Sequence, residues 1–581
     1  MAPKKQQQSK NKQKTPLLKV ISALFVIILS VVVGLFLFVS DETPERLTSF
    51  SLPTDEKLQK VLKHEEMRNR IINKKLSPEE ELEKAKGYEN NEFNQFISDR
   101  LPLSRYFYDT RDVGCLDKRY FPIKKMPSVS VIIIFYNEAR STLLRTVQSV
   151  LDRTPPSVLE EIILVDDGSA SQHLQTPLDN EIKKFKKTKL IRLKERSGLI
   201  RAKVYGAEVA KGEVLMFMDS HCECVDGWAE PLLDRIMRDR RTVAMPVIDA
   251  IEGNTWEFRT SILQRGVFSW HLEFYWLDIT EAEANARNSP TKPLLTPAMA
   301  GGIFAIDKQY FNEIGTYDMG MDTWGGENIE MSMRVWMCGG KLEIIPCSRV
   351  GHVFRSKSPY KFKKDPAATI AHNLNRAAAV WMDDYADIYL NFTNNTQYEV
   401  GDVSERMTLR ESLKCHSFQW YIDNVIPDVF VPLPQNYHIA GHVRNPSTNT
   451  CLVKHCRYGE TRYLKSIGTI LQECDSTDPE AYEQTYWFHT KKPYEGQLRS
   501  EEPSGARCLL PAQNEPGSSV MMVHCHDQEA TTALLWTHNA AGQLVHLQSG
   551  FCLTQQSGDV VVDDCGSNEP SQVWDFAPHF A

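Results

Sequence analysis

The sequence predicts an α/β domain on a mostly parallel sheet, followed by an all-β unit of three repeats, with one membrane-spanning helix ahead of both. Three observations predict this. Apolar, β-branched runs recur along residues 129–218 with helix-length segments between them, the pattern of a βαβ succession. Three copies of a Cys-Leu pair, each with a later Cys and a Trp, occupy residues 451–574, which marks an internal repeat. Residues 20–40 (VISALFVIILSVVVGLFLFVS) form one apolar run without a charge.

That run, at ~1.5 Å per residue, is long enough to cross ~30 Å of hydrocarbon. Six lysines precede it (Lys4, Lys5, Lys10, Lys12, Lys14 and Lys19), and Asp41, Glu42 and Glu45 follow. The positive-inside bias therefore predicts a cytosolic tail at residues 1–19, a signal anchor at 20–40 and a lumenal body, a single-pass type II topology. A cleaved signal peptide is the rival reading, but the run exceeds the usual apolar core and no clear small-residue cleavage site follows it. Residues 41–100 are rich in Glu, Lys, Asn and Gln and read as a solvated stem. An oxidising lumen permits disulfides among the 13 cysteines. The triplets beginning at Asn391 and Asn394 are N-glycosylation acceptors in such a compartment. With 581 residues and 42% apolar content, the chain has room for more than one core. Its net charge of −8, with cations and acids interspersed, argues against nucleic acid as a partner.

A Pro-rich joint at residues 432–437 (PLPQNY) divides the body into regions 101–431 and 438–581. In the first, residues 129–135 (VSVIIIF) read as a strand buried on both faces. Residues 141–151 show helical spacing, and the runs 161–165, 189–193 and 214–218 repeat the strand signal. Ligands of such sheets bind beyond the carboxyl ends of the strands. Asn137, Glu138, Asp166, Asp167, Asp219 and His221 follow those ends and are the first candidates. Asp219-Ser220-His221 places a carboxylate and an imidazole where both can face one ion, a donor set suited to Mn²⁺ rather than to an all-oxygen Ca²⁺ cage. A cation there would neutralise the charge that builds on a departing nucleotide diphosphate. The second region's repeats (Cys451, Cys474 and Trp487; Cys508, Cys525 and Trp536; Cys552, Cys565 and Trp574) predict a threefold all-β unit with one local disulfide per repeat.

The words FYNEARSTLLRTVQSVL (135–151), EIILVDDGS (161–169), DSHCEC (219–224), AGGIFAI (300–306), WGGEN (324–328) and CSRVGHVFR (347–355) resemble the polypeptide N-acetylgalactosaminyltransferases. With the anchor, stem and Cys-Leu repeats, the resemblance covers nearly the whole chain. It implies a GT-A (Rossmann-like) catalytic domain joined to a ricin-type β-trefoil lectin domain in the Golgi membrane. It further implies retaining transfer of N-acetylgalactosamine from UDP-GalNAc to Ser or Thr of proteins, initiating mucin-type O-glycosylation. By the same resemblance, Asp219, His221 and His352 hold Mn²⁺, Asp167 contacts uridine, Arg196 and Lys203 stand near the donor, and Arg355 and Tyr360 contact the diphosphate. Trp324, Glu327 and Asn328, with Gly301 and Gly302 nearby, face the donor sugar and the acceptor hydroxyl. No dedicated nucleophile is evident, so a front-face displacement in which the leaving β-phosphate takes the acceptor proton is expected, with Glu327 the reserve nucleophile. The implied disulfides are Cys115 with Cys347, Cys338 with Cys415, and one bridge in each repeat: Cys451 with Cys474, Cys508 with Cys525, and Cys552 with Cys565. Cys222 and Cys224 are expected to be unpaired, and Cys456 is left over.

The chain departs from the family pattern at several positions. Lys203 stands where a second arginine is usual, and lysine lacks the bidentate fork. Ser358 replaces a frequent histidine. The lectin repeats carry Val453, Leu510 and Thr554 where a sugar-binding aspartate is expected. These departures leave a complete metal site beside weakened donor and lectin contacts. The alternative reading is a catalytically weak member acting as a Golgi binding or regulatory protein.

Overall fold

The computed structural model describes residues 55–355, 361–455, 466–474, 485–492, 494–526 and 532–577. The expected anchor at 20–40, Ser358, Tyr360 and Cys456 lie outside the described residues. Among those described, no helix is long and apolar enough to cross a membrane.

Alternation within the apolar runs explains the first sheet. In β1 (Val129–Phe135), Val131, Ile133 and Phe135 face one core while Ile132 and Ile134 face a second on the opposite side. Both faces are covered by helices or loops, so no polar face is needed. β2 (Leu159–Asp166), β3 (Thr188–Arg192) and β4 (Val214–Asp219) pair in parallel with it or with each other. The helices Arg140–Arg153 and Leu199–Glu208 lie in the connections β1 to β2 and β3 to β4. The chain runs outward from β1 through β2 to β3, then returns to place β4 on the other side of β1. That reversal opens a crevice at the carboxyl ends of β1 and β4, where ligands of such sheets bind.

The rest of the sheet was not legible from its pattern. β5 (Cys222–Cys224), β6 (Thr242–Ile251), β7 (Phe258–Arg259) and a separate hairpin, β8 (Gln264–Phe268) with β9 (Phe274–Asp278), follow β4. β10 (Leu294–Leu295), β11 (Phe304–Asp307) and β12 (Lys341–Val353) complete a sheet of order β10-β12-β6-β11-β4-β1-β2-β3. β11 is antiparallel to β4. β12 carries Pro346, Cys347 and Gly351, and its register against β6 shifts between Ile345 and Arg349; such residues weaken a strand signal in sequence. The helix Glu327–Met337 starts after Gly325 and Gly326, both at positive φ (103° and 83°), a backbone that glycine adopts without strain.

Tyr437–Asn445 opens the second β assembly, of 12 strands. Its core repeats one motif three times. The indole Nε1 of Trp487 donates to the Leu452 carbonyl (3.1 Å), that of Trp536 to Leu509 (2.9 Å) and that of Trp574 to Leu553 (2.8 Å). All six side chains are buried in one cluster. Each Cys-Leu pair thus supplies a staple and a core residue whose carbonyl satisfies a buried indole. Disulfides join Cys115 to Cys347, Cys338 to Cys415, Cys451 to Cys474, Cys508 to Cys525 and Cys552 to Cys565. Cys222 and Cys224 are free and buried.

Trp536→Ala removes a fully buried ring and strands the Leu509 carbonyl. We expect a loss of ~3–5 kcal/mol, seen in calorimetry as a lowered unfolding transition, whereas Thr537→Ala on the exposed face of the same strand leaves the transition in place.

Candidate active site and metal centre

β4 ends on Asp219, and the turn after it carries Ser220 and His221 into β5. β5 pairs antiparallel with the end of β12, setting His352 opposite Cys222, and the Val353 amide donates to the His221 carbonyl at 3.1 Å. Strand pairing therefore brings a histidine 131 positions further along the chain to the Asp-x-His turn. Donor atoms of Asp219, His221 and His352 lie within 4.8 Å of one another. His352 Nε2 is 3.4 Å from Asp219 Oδ2, and the two imidazole rings are 4.7 Å apart.

Three observations test whether this cluster fits a divalent ion. One carboxylate and two imidazoles form a donor set suited to Mn²⁺ or Zn²⁺. His352 Nδ1 is buried without a hydrogen-bond partner among the described residues. A Cβ on Gly302 would lie 2.3 Å from Asp219 Oδ2, so glycine there keeps the carboxylate open. The residues fit a metal.

Glu138, in the loop between β1 and the helix Arg140–Arg153, organises this cluster. Its side chain has no exposed surface. Oε1 accepts from the Ala139 amide (3.0 Å) and the Thr142 hydroxyl (3.2 Å), and Oε2 accepts from the Ser220 hydroxyl (3.0 Å). Arg355 Nη2 donates to both oxygens at 2.8 and 2.7 Å. His221 Nδ1 lies 3.0 Å from Oε2. Burial alone would raise the Glu138 carboxyl, but the Arg355 guanidinium and His221 hold it well below the usual carboxylate range. An ionised carboxylate only accepts, so a neutral His221 that hydrogen-bonds to Glu138 does so as donor from Nδ1, which leaves Nε2 for a ligand. Burial and the Arg355 guanidinium push the His221 imidazole down to about 4, which keeps it in the neutral form that metals bind. The strand-end rule marks Glu138 as a candidate, but its role as the partner of His221 and Arg355 depends on contacts that no local motif reveals.

Lys203, Asp219, Gly301, Gly302, Trp324, Glu327 and His352 line one cleft of about 630 Å³. Lys203 is buried and donates from Nζ to the Gly301 carbonyl at 2.8 Å. The lysine therefore anchors the glycine turn from inside the protein. Glu327 begins its helix and accepts from the Gly325 amide through Oε2 at 2.8 Å. Asn328 donates to the Met299 carbonyl at 3.0 Å, which ties it to the turn beside the cleft. Trp324 is half exposed.

The other expected donor contacts stand apart. Asp167 accepts from the amides of Ser197 (2.5 Å) and Gly198 (2.9 Å). Arg196 lies over the Tyr136 ring at 3.9 Å and donates to the Lys361 carbonyl. Arg355 is engaged by Glu138. A Cβ on Gly198 would meet Thr323 Cα at 2.5 Å, so that turn lies directly against the segment leading to Trp324.

A parallel sheet with its switch point at β1 and β4, an Asp-x-His turn completed by a distant histidine, and a threefold β unit together define a GT-A glycosyltransferase with a ricin-type trefoil. Residues 130–311 match the glycosyl transferase family 2 model, 284–358 the model described as N-terminal domain of galactosyltransferase, and 439–574 the ricin-type beta-trefoil lectin domain. Polypeptide N-acetylgalactosaminyltransferase 5 of Caenorhabditis elegans is 43% identical over 509 residues, covering 86% of this chain and 78% of that relative. Polypeptide N-acetylgalactosaminyltransferase 13 of Homo sapiens is 48% identical over 382 residues, covering 65% of this chain and 68% of that relative. A crystal structure of GalNAc-T7 with UDP, GalNAc and Mn²⁺ superposes with a TM-score of 0.61 at 31% identity, covering 92% of this chain and 94% of that one. The chain belongs to the polypeptide N-acetylgalactosaminyltransferases.

Glu138→Gln keeps the side chain's volume but removes its charge and lets the amide donate. We expect metal affinity to fall ~10–100-fold, measured by titrating Mn²⁺ against its paramagnetic resonance signal without donor or acceptor present.

Proposed function

We propose that this chain transfers N-acetylgalactosamine from UDP-GalNAc to Ser or Thr hydroxyls of proteins, with retention of configuration and dependence on Mn²⁺. The observation that carries this reading is the shared cleft, in which two of the three metal-site residues, the glycine turn, Trp324 and Glu327 face one space. Its relatives' names and the UDP, GalNAc and Mn²⁺ of its structural neighbour support the same assignment.

In this reading Asp219, His221 and His352 hold Mn²⁺, which when bound supplies positive charge opposite the diphosphate. Asp167 and Arg196 take the uridine end, and Arg355, with Tyr360, takes the phosphates. Gly301 and Gly302 let the donor sugar approach the backbone without a side chain between. Lys203 holds that turn through the Gly301 carbonyl. Trp324 covers the sugar and excludes water. Asn328 fixes the residues beneath it through Met299. The acceptor hydroxyl attacks from the leaving-group side and its proton passes to the departing β-phosphate oxygen. Glu327 lines the cleft and is the reserve nucleophile.

The body is proposed to be lumenal in the Golgi, anchored by residues 20–40 with 1–19 cytosolic and 41–100 as stem. Of the stem, 55–100 carries the helices Asp55–Ile72, Pro78–Asn91 and Gln95–Arg100 and buries Phe93, Phe96 and Ile97 against Ile251 and Trp256 instead of standing solvated throughout. The catalytic domain then spans 101–431, the joint 432–437 and the trefoil 438–581, with Asn391 and Asn394 as glycan acceptors. The trefoil's sugar positions support a lectin without sugar binding. Val453 is fully buried. The Thr554 hydroxyl donates to the Cys552 carbonyl (2.9 Å) and accepts from Gln572 Nε2 (3.0 Å), so its hydrogen bonds are already made.

Asp219→Ala should lower kcat/KM for transfer by on the order of 10³-fold or more, as several kcal/mol of charge stabilisation are lost, with the melting temperature little changed. Wild-type transfer by that variant in metal-depleted buffer would overturn the assignment. GalNAc-glycopeptides at millimolar concentration should give no saturable NMR shifts in repeats one to three, since a missing charge-assisted acceptor costs ~1.5–3 kcal/mol.

A further inference from the structure

The cleft that holds Asp219 and His352 does not end on the catalytic domain. Its lining includes Ser504 and His524, which belong to the second lectin repeat. The described residues, all between 55 and 577, fall in one compact unit, and the contact between this repeat and the β8–β9 hairpin is close. Gly505 packs on the Tyr275 ring so tightly that a Cβ would lie 2.7 Å from Cε2. Gly505 also takes a positive φ of 105°, so two separate constraints favour glycine where the repeat meets the hairpin. His271 Nε2 hydrogen-bonds to the Glu501 carbonyl at 3.0 Å, next to the hairpin's turn. Glu501 is held by Arg499 Nε (2.7 Å) in the same repeat, and Glu502 by Lys454 Nζ (2.6 Å) of the first repeat. Buried ion pairs thus fix the segment that carries Ser504.

The lining of the cleft is chemically mixed. Asp219 and His352 suit a nucleotide sugar with its ion, whereas Ile262, Phe274 and Trp276 are apolar, and Ile262 is 66% exposed. Ser504, His524, Gln264 and Tyr275 add uncharged polar groups, and the one lysine of the lining, Lys203, is committed to the Gly301 carbonyl. The His524 ring makes no hydrogen bond among the described residues, and burial with the Arg507 guanidinium pushes its imidazole down to about 4, leaving it neutral. A neutral imidazole offers one donor and one acceptor. A cleft lined by Ile262, Phe274 and Trp276 that also carries such a group suits an uncharged polypeptide backbone.

We propose that the second lectin repeat forms a wall of the acceptor subsite, with His524 binding the acceptor polypeptide beyond the residue that receives the sugar. This rests on the transferase reading above. In it the lectin domain contributes to acceptor choice by direct contact with the peptide, independently of any glycan.

The test compares a short acceptor peptide with one extended on both sides of the same Thr, measuring KM in transfer and, separately, peptide affinity by calorimetry with UDP and Mn²⁺ present. Wild type should bind the extended peptide more tightly. His524→Ala should raise the extended peptide's KM and dissociation constant roughly two- to tenfold, the scale of one neutral hydrogen bond, and close the gap between the peptides. His524→Gln, which retains a donor and an acceptor, should restore most of that gap. Equal changes for both peptides, no change for either, or a gap found only when the extended peptide carries GalNAc would overturn the proposal. Absence of transfer from wild type would overturn the transferase reading instead, and the calorimetric gap would still decide the role of the wall.

Discussion

A carboxylate without exposed surface must have its charge met by donors, and Glu138 meets this need by drawing three segments to one point. The end of β1 supplies Glu138 itself, the turn after β4 supplies Ser220 and His221, and the end of β12 supplies Arg355. Loss of one partner from such a group leaves buried charge uncompensated, at a cost of ~3–5 kcal/mol. The metal cluster inherits its geometry from this constraint. His221 can present Nε2 because Nδ1 is taken, and His352 is close because β12 must bring Arg355 to Glu138.

The same arrangement separates residues that hold from residues that bind. Arg355 is committed to Glu138 in this conformation, so contact with a diphosphate requires it to share or exchange that partner. Lys203 resolves differently from its sequence context. A lysine in place of arginine suggests a weakened donor contact, yet its ammonium is buried against the Gly301 carbonyl. Its contribution is to the shape of the glycine turn, and the donor meets it indirectly.

The trefoil shows how a repeat can keep its core and change its surface. Trp, Leu and Cys recur because each copy needs a staple and a satisfied indole, whereas the third residue of each Cys-Leu unit is free to vary. Val453 and Thr554 have become internal, one by burial and the other by hydrogen bonding with Gln572. The second repeat faces the catalytic cleft instead, and Gly505 allows it to come within contact of Tyr275.

Local chemistry determined much of this protein directly from sequence. β-Branched runs buried on both faces announce parallel strands and Asp-x-His at a strand end suggests a cation, because each depends on neighbours a few residues away, while the threefold recurrence of Cys, Leu and Trp in the same order announces a repeated core. The expected disulfide partners also coincide with those in the structure. Glu138, Arg355 and the seat of Lys203 behave otherwise. Their roles follow from β12, whose Pro, Cys and Gly mask its strand character and whose pairing spans more than 100 residues. Likewise, Ser504 and His524 have no motif that links them to a catalytic cleft. Only the packing of the second repeat on the β8–β9 hairpin brings them there, since contacts between domains depend on the shapes of two folded surfaces and leave no periodic trace in either sequence.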